Sequence, residues 1–296
     1  MKEMSKNASS DSDVSQKPGN PQETLNLKNY YYAGIFAAEM SCCIIKAANN
    51  HPVGHYSFKV DITVSNADKD LLKNINMEVM QGVGVITAIK GGFNLSARSK
   101  KRVQIILNFF DQYPVIAGDL ARNRLALMRE ALAYLGAHRG SSKHQAKTEV
   151  MNDMRAKLQA IKETGAAFES YDQEHVSQDA IGYFLAGVLD GDGSFGFKKS
   201  GDRQQPFLVL AMKDQKIPEL LRKFIGHGNV RRRKDGMYHY ETNHQQVLRH
   251  VCVLFVTRYP LRHVGQRKRM EHLQRILNDY TRNSKPVHMS VPVEMI

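Results

Sequence analysis

The 296-residue sequence carries 42 Lys+Arg against 29 Asp+Glu, a formal charge of +13. Its 42% hydrophobic content excludes a chain disordered throughout, and no apolar run reaches the roughly eighteen residues of a membrane span. Three cysteines, two adjacent (Cys42, Cys43) and one distant (Cys252), exclude a disulfide framework and a CxxC metal pair; a reducing interior suits them. The surplus of positive charge points toward a phosphate-rich polymer as partner.

Residues 1–27 are polar, with Ser, Asn, Asp and two prolines, and read as a disordered tail. Their acidic residues argue against an imported transit peptide, and they hold no apolar signal core. From Asn29 the chain begins a pattern that it later repeats. NYYYAGIFAAEM (29–40) is echoed by AIGYFLAGVLDGDG (180–193). Each is followed by strand-like residues, a Leu-Leu helix, a Gly-x-Gly turn (Gly82, Gly84; Gly226, Gly228), a second hairpin, an apolar helix and a Tyr-Pro. The spacing between copies is 153 residues from Glu39 to Asp192, 144 from Gly84 to Gly228 and 146 from Pro114 to Pro260. Three landmarks in order with so little drift exclude chance, and hairpin loops absorb the length differences.

Each half therefore reads helix, two strands, helix, two strands, then one or more helices. The repeats occupy residues 28–136 and 179–281, joined by a linker with its own helix at 137–178, and residues 282–296 form a C-terminal tail. Alternation of Phe58, Val60, Ile62 and Val64 with Lys59, Asp61 and Thr63 predicts a strand with one apolar face. Leu125–Leu135 and Thr148–Thr164 have helical composition.

The repeated helix carries the chemistry. Gly187 and Gly191 lie four apart on one helical face, as do Gly34 and Ala38 in the first copy, so the two helices are expected to pack backbone against backbone about a pseudo-twofold. Glu39 and Asp192 fall at equivalent places in the last turns. A carboxylate at a helix C-terminus is disfavoured by the dipole, and packing the helices together adds like-charge repulsion. A divalent cation between or beside the acids resolves both conflicts. Oxygen-only ligands point to Mg²⁺, which takes one or two carboxylates and completes its shell with water and phosphate. That is the inventory of metal-assisted phosphodiester hydrolysis.

LAGVLDGDG (Leu185–Gly193) and, more weakly, YAGIFAAEM (Tyr32–Met40) resemble the paired motifs of the LAGLIDADG homing endonucleases. The resemblance covers roughly Asn29 to Leu277. It implies an α+β fold of two pseudo-symmetric αββαββα repeats forming a saddle-shaped antiparallel-sheet surface for double-stranded DNA. It also implies a monomer acting as a pseudo-dimer, and Mg²⁺-dependent cleavage of both strands at a long semi-palindromic target with staggered 3′ overhangs. Family members are commonly intron-encoded in organelle genomes, which sets the expected location in a plastid or mitochondrion. Some act as maturases on intron RNA, making RNA a second candidate partner; no membrane role is implied.

Carried over by position, Glu39 and Asp192 are the catalytic acids, and Ala38 and Gly191 beside them complete the expected metal set. Gly34, Ala38, Gly187 and Gly191 form the helix interface. Ser41 and Ser194 open the strands that enter the groove; Lys198, Arg231, Arg233, Tyr238 and Tyr240 complete the expected DNA face, with the arginines suited to guanine edges. There are departures. Met40 stands where the family has Gly, which can end a helix in the left-handed region where Met is strained. That raises a nickase as an expectation. Ala37 replaces the first, non-catalytic acid. The family lysine five residues past the Tyr-Pro proline, which joins the solvent network around the metals, is replaced by Asp119 and Gly265, leaving Arg122, Arg262, Arg267, Lys268 or Lys216 as substitutes, of which Lys216 is counted among the expected catalytic residues.

Other readings are weaker. A phosphatase of the haloacid dehalogenase type would make Asp190 a nucleophile at a strand end, yet AIGYFLAG is poor strand material. An EF-hand loop requires Gly and Glu where Phe195 and Gly201 stand. Isolated histidines such as His227, His239, His244 and His250 lack metal spacing, and the cysteines read as small core residues. A maturase and a DNA-binding regulator are the remaining alternatives. The charge is also unevenly shared: ten Lys+Arg against six acids over 28–114, but seventeen against seven over 180–270. Binding is expected to be salt-dependent and led by the second half.

Overall fold

The computed structural model describes residues 26–48, 56–138, 144–200 and 203–279; both predicted tails lie almost wholly outside these residues. The first repeat runs α1 (Tyr30–Glu39), β1 (Met40–Ala48), β2 (Tyr56–Asn66), α2 (Lys69–Glu78), β3 (Val85–Ile89), β4 (Gly92–Arg98), α3 (Lys100–Gln112) and α4 (Asp119–Ala137). Helix α5 (His144–Thr164) and an extended stretch lead to the second repeat. This comprises α6 (Gln178–Asp192), β5 (Gly193–Ser200), β6 (Arg203–Met212), α7 (Lys216–Ile225), β7 (Asn229–Arg232), β8 (Tyr238–Thr242), α8 (Gln245–Val253) and α9 (Val264–Asp279). A π-helical turn, Leu254–Arg258, ends α8. The two antiparallel sheets have the same order, β1-β2-β4-β3 and β5-β6-β8-β7. The predicted pair of αββαββα repeats is what folds.

Each sheet buries one face beneath its own helices. In the first, Phe58, Val60, Ile62, Val64, Leu95 and Ala97 are buried; in the second, Leu208, Leu210, Met212 and Tyr240. The opposite, open face of the first sheet carries Lys59, Thr63, Ser65, Asn94 and Ser96, which alternate with these buried residues. Gly82 and Gly226 both adopt positive φ just past α2 and α7, allowing the chain to reverse. Gly84 and Gly228 leave room for Leu95 and Tyr240, whose side chains lie about where a Cβ would reach, 2.5 Å away in each case.

The repeats join through α1 and α6. A Cβ on Gly34 would stand 1.9 Å from the Phe184 carbonyl oxygen, and one on Gly187 would stand 2.0 Å from that of Tyr31. These glycines are mates across the pseudo-twofold, so each helix lets the other's backbone approach. A second symmetric device surrounds them. Asp68 caps α2 through one carboxylate oxygen and accepts the Val264 N–H, at the start of α9, with the other (2.9 Å). Asp214 accepts the Lys216 N–H at the start of α7 and, with its other oxygen, the Leu120 N–H at the start of α4, likewise at 2.9 Å. Each acid thus satisfies helix N-termini in both halves at once.

The linker is laced to the first repeat. Asn123, buried on α4, accepts the N–H groups of Phe168 and Glu169 and donates to the Glu169 carbonyl. Arg122 donates to the carbonyls of Val115, Ile116 and Asp172. The free edge of β1 is closed by arginines: Arg124 donates to the Met40 carbonyl and Arg155, on α5, to that of Ile44.

Candidate active site and nucleic-acid interface

Helices α1 and α6 end at Glu39 and Asp192, and each chain passes straight into the first strand of its sheet. Their crossing brings the acids to the centre of the molecule. A Cβ on Gly191 would lie 2.6 Å from the Ala38 Cβ and 3.2 Å from the Glu39 Cγ, so Ala38 and Gly191 set how closely the acids approach. Burial, reinforced by the charge of Asp192, pushes the Glu39 carboxyl up to about 7. Burial pushes Asp192 up to about 6, although the residue as a whole is exposed. The two crowded carboxyls are oxygen donors of the kind a hard divalent ion takes. No cluster of three or more His, Cys, Asp or Glu side chains competes for a metal among the described residues.

The helix-to-strand junctions correct one expectation. Met40 has φ −71° and ψ 132°, and Gly193 has φ −72° and ψ 140°; both are ordinary extended backbone. Neither end uses the left-handed region, so Met40 is unstrained and instead fills the core. Two residues that the sequence reading missed fix these junctions. Arg124 donates to the Met40 carbonyl (3.1 Å), and Gln266 donates to the equivalent Gly193 carbonyl (2.8 Å). The first junction therefore carries a cation and the second a neutral amide.

Lys216 is also corrected. Its ammonium donates to Asp119, to Ser170 and to the Tyr171 carbonyl, using its three hydrogens to pin the linker against α4. Arg262, another candidate, stacks over Tyr31 and Tyr32 and donates to the Lys28 carbonyl. Asp190 is buried within α6 and accepts from the Tyr31 hydroxyl and the N–H groups of Arg262 and His263. It joins the repeats and is placed as no nucleophile would be. Its mate, Ala37, makes no such link.

The open faces of the sheets run on from the acids. Register places Ser41, Thr63, Ser96 and Val85 in one row across the first sheet, and Ser194, Val209, Glu241 and Asn229 in the matching row of the second. Ser41 and Ser194 are exposed, as expected. Lys198 and Arg231 stand on the same open face, both paired with Glu241, at 2.6 and 3.7 Å. Arg233 lies one residue past β7 and pairs with Asp235 in the hairpin. Tyr240 is a correction: it is fully buried, with its hydroxyl on the His227 carbonyl. Tyr238 shares its parity and so also faces the helices, with Arg232 stacked over its ring. The open-face residues of β8 are His239 and Glu241. Cys43, expected in the core, is exposed on the open face of β1; Cys42 and Cys252 are not.

Residues 185–284 match the LAGLIDADG endonuclease family. Three solved structures align over nearly their full lengths. The LAGLIDADG homing endonuclease I-GzeII in complex with a DNA target is 17% identical, with TM-score 0.71, covering 85% of this chain and 90% of that one. The fold is that of a LAGLIDADG homing endonuclease. The LAGLIDADG meganuclease I-CpaMI bound to uncleaved DNA is 17% identical, with TM-score 0.70 and coverage of 85% and 92%. I-SmaMI bound to an uncleaved DNA target in the presence of calcium ions is 18% identical, with TM-score 0.66 and coverage of 86% and 99%. No curated protein matches the sequence. The family match falls on the second repeat; the first, with its degenerate LAGLIDADG motif, is tied to it by the common sheet order and the helix crossing.

Proposed function

We propose that the protein is a site-specific DNA endonuclease that hydrolyses both strands of a long, semi-palindromic duplex with Mg²⁺, leaving staggered 3′ overhangs. The observation that carries the reading is the pair of crowded carboxyls, Glu39 and Asp192, both raised by burial, where the two sheets' open faces meet. A pure binder gains nothing from holding two acids where their ionisation is opposed. A divalent ion held there would supply Lewis-acid activation of a phosphate and of water. Glu39 and Asp192 hold it as carboxylates, with Ala38 and Gly191 as the neighbouring backbone. Arg124 and Gln266 keep each acid aimed at the DNA side by clamping the residue that follows it. Ser41, Ser194, Lys198, Arg231 and Arg233 contact the duplex, whose phosphates the surplus charge draws in. The unstrained Met40 supports two working sites rather than a nickase. An intron reading frame in an organelle, with a monomer as the active form, completes the proposal.

The competing reading is a cleavage-deficient binder of intron RNA or DNA, favoured by Asp119 and Gly265 where the family carries lysine. Incubation with Mg²⁺ and a duplex spanning the uninterrupted insertion site of the protein's own intron separates them. Both strands are expected to be cut. Tight binding without a break in either strand sinks the endonuclease and favours the binder.

A further inference from the structure

The third strands of the two sheets are mates at a spacing of 144 residues, the spacing of the Gly-x-Gly turns that precede them. Their open-face positions match pairwise, Val85 with Asn229 and Thr87 with Arg231, and Ile89 corresponds by spacing to Arg233, the residue just past β7. The backbone places are equivalent and the chemistry is opposed. Val85 is 47% exposed and Ile89 45%, among the few large hydrophobic side chains so open to solvent. Ile86, between them, turns inward and packs against the core, so the outward pair is not spilled core. Behind them lie hydroxyl and amide groups that satisfy one another: Thr63 with Ser96 at 3.1 Å, and Ser65 with Asn94 at 2.7 Å. Within the described strands, the positive charge on this face is Lys59 and an Arg98 already paired with Asp61, with Lys90 in the β3–β4 turn.

We propose that the third strand of the first repeat reads thymine 5-methyl groups in the major groove through Val85 and Ile89, while the second repeat reads guanine edges. The inference rests on the DNA-binding function proposed above. In the major groove, the thymine methyl is the apolar feature that distinguishes the base pairs, and it pairs with apolar side chains as guanine pairs with arginine. Two half-exposed aliphatic side chains, on alternate outward positions of a strand that meets the groove, gain burial from methyl groups and offer nothing to a donor or acceptor. The target is therefore chemically lopsided: A·T-rich where β3 lies and richer in G where β7 lies.

The test selects bound duplexes from a library randomised over about thirty base pairs, with Ca²⁺ replacing Mg²⁺ so that bound DNA stays whole. The selected half-site that loses enrichment in the Val85→Asn, Ile89→Arg double variant is the one beneath β3. That half-site is expected to carry thymines, and replacing each contacted thymine by deoxyuridine, which removes only the methyl, is expected to weaken binding about three- to fivefold. Deoxyuridine in the other half-site is expected to change affinity less than about twofold. The double variant is expected to gain guanine at those positions while its thermal midpoint stays within about 2 °C. If one duplex is enriched but deoxyuridine has no effect, the thymine reading falls and the DNA-binding function stands. If no duplex is enriched over the library, the function itself falls.

Discussion

The two repeats have one fold and two surfaces. On the buried side the match is close: Gly34 answers Gly187, Asp68 answers Asp214, and Gly82 and Gly84 answer Gly226 and Gly228. On the open side Val85, Thr87 and Ile89 answer Asn229, Arg231 and Arg233. The contrast follows from packing. An inward position is held by close neighbours that change only together, whereas an outward side chain meets solvent or ligand and is free to diverge. The charge imbalance in the sequence, a surplus of four over residues 28–114 and of ten over residues 180–270, is the same divergence seen in composition.

The buried likeness is broken most severely at the helix crossing. Gly34→Ala and Gly187→Ala each place a methyl within about 2 Å of a backbone oxygen. Each is expected to cost about 3 kcal/mol or more, measurable by urea unfolding, and the two costs should be similar. A large loss from one and none from the other would show that the crossing is not symmetric.

The outward difference is sharpened by Arg231→Ala against Thr87→Ala, at matched positions. Loss of the arginine is expected to weaken DNA binding about five- to fiftyfold and to make it less dependent on salt; loss of the threonine should cost less than about threefold. Equal effects in binding titrations at two salt concentrations would erase the proposed inequality.

A smaller effect tests the shared acids. Both carboxyls titrate higher in the folded protein than their ordinary values, 4.5 rising to about 7 for Glu39 and 3.8 to about 6 for Asp192. The folded state therefore binds more protons, and this pair's contribution to stability falls as pH rises from about 4 to about 7. In EDTA at pH 7.5, Glu39→Gln and Asp192→Asn are each expected to raise the thermal midpoint by about 3 °C, and to leave it unchanged near pH 4. A lower midpoint at pH 7.5 would mean that the ionised acids are stabilised by partners, contrary to the crowding described.

Much of this was legible in the sequence because duplication prints the same constraint twice. The small residues at Gly34 and Gly187 and the acids at Glu39 and Asp192 gained meaning from their spacing, and the alternation in β2 named its buried face. What was illegible depended on long-range partners or on parity. Tyr238-His239-Tyr240 alternates two amphipathic residue types, so the sequence does not say which face they take; the pairing of Leu210 with Tyr240 does. Lys216 finds Asp119 and Ser170 across almost a hundred and about fifty residues, beyond any local pattern. Arg124 and Gln266 hold backbone carbonyls, which leave no signature in residue type. Met40 misled because a glycine in a motif suggests left-handed backbone, whereas Gly193 is extended; a Cβ there would stand 2.4 Å from the Leu189 carbonyl oxygen, a steric reason for its size.

The central claim is that the likeness at the acids outweighs the unlikeness at the surface, so that each repeat contributes one acid to a paired cleavage site. Strand-resolved cleavage of a doubly end-labelled duplex, with Mg²⁺, by Glu39→Gln, Asp192→Asn and the double variant tests it most directly. Each single variant is expected to lose at least about a hundredfold in cutting one or both strands while binding within about threefold of the parent, and the double variant should cut neither. Undiminished cutting of both strands by Asp192→Asn would contradict it.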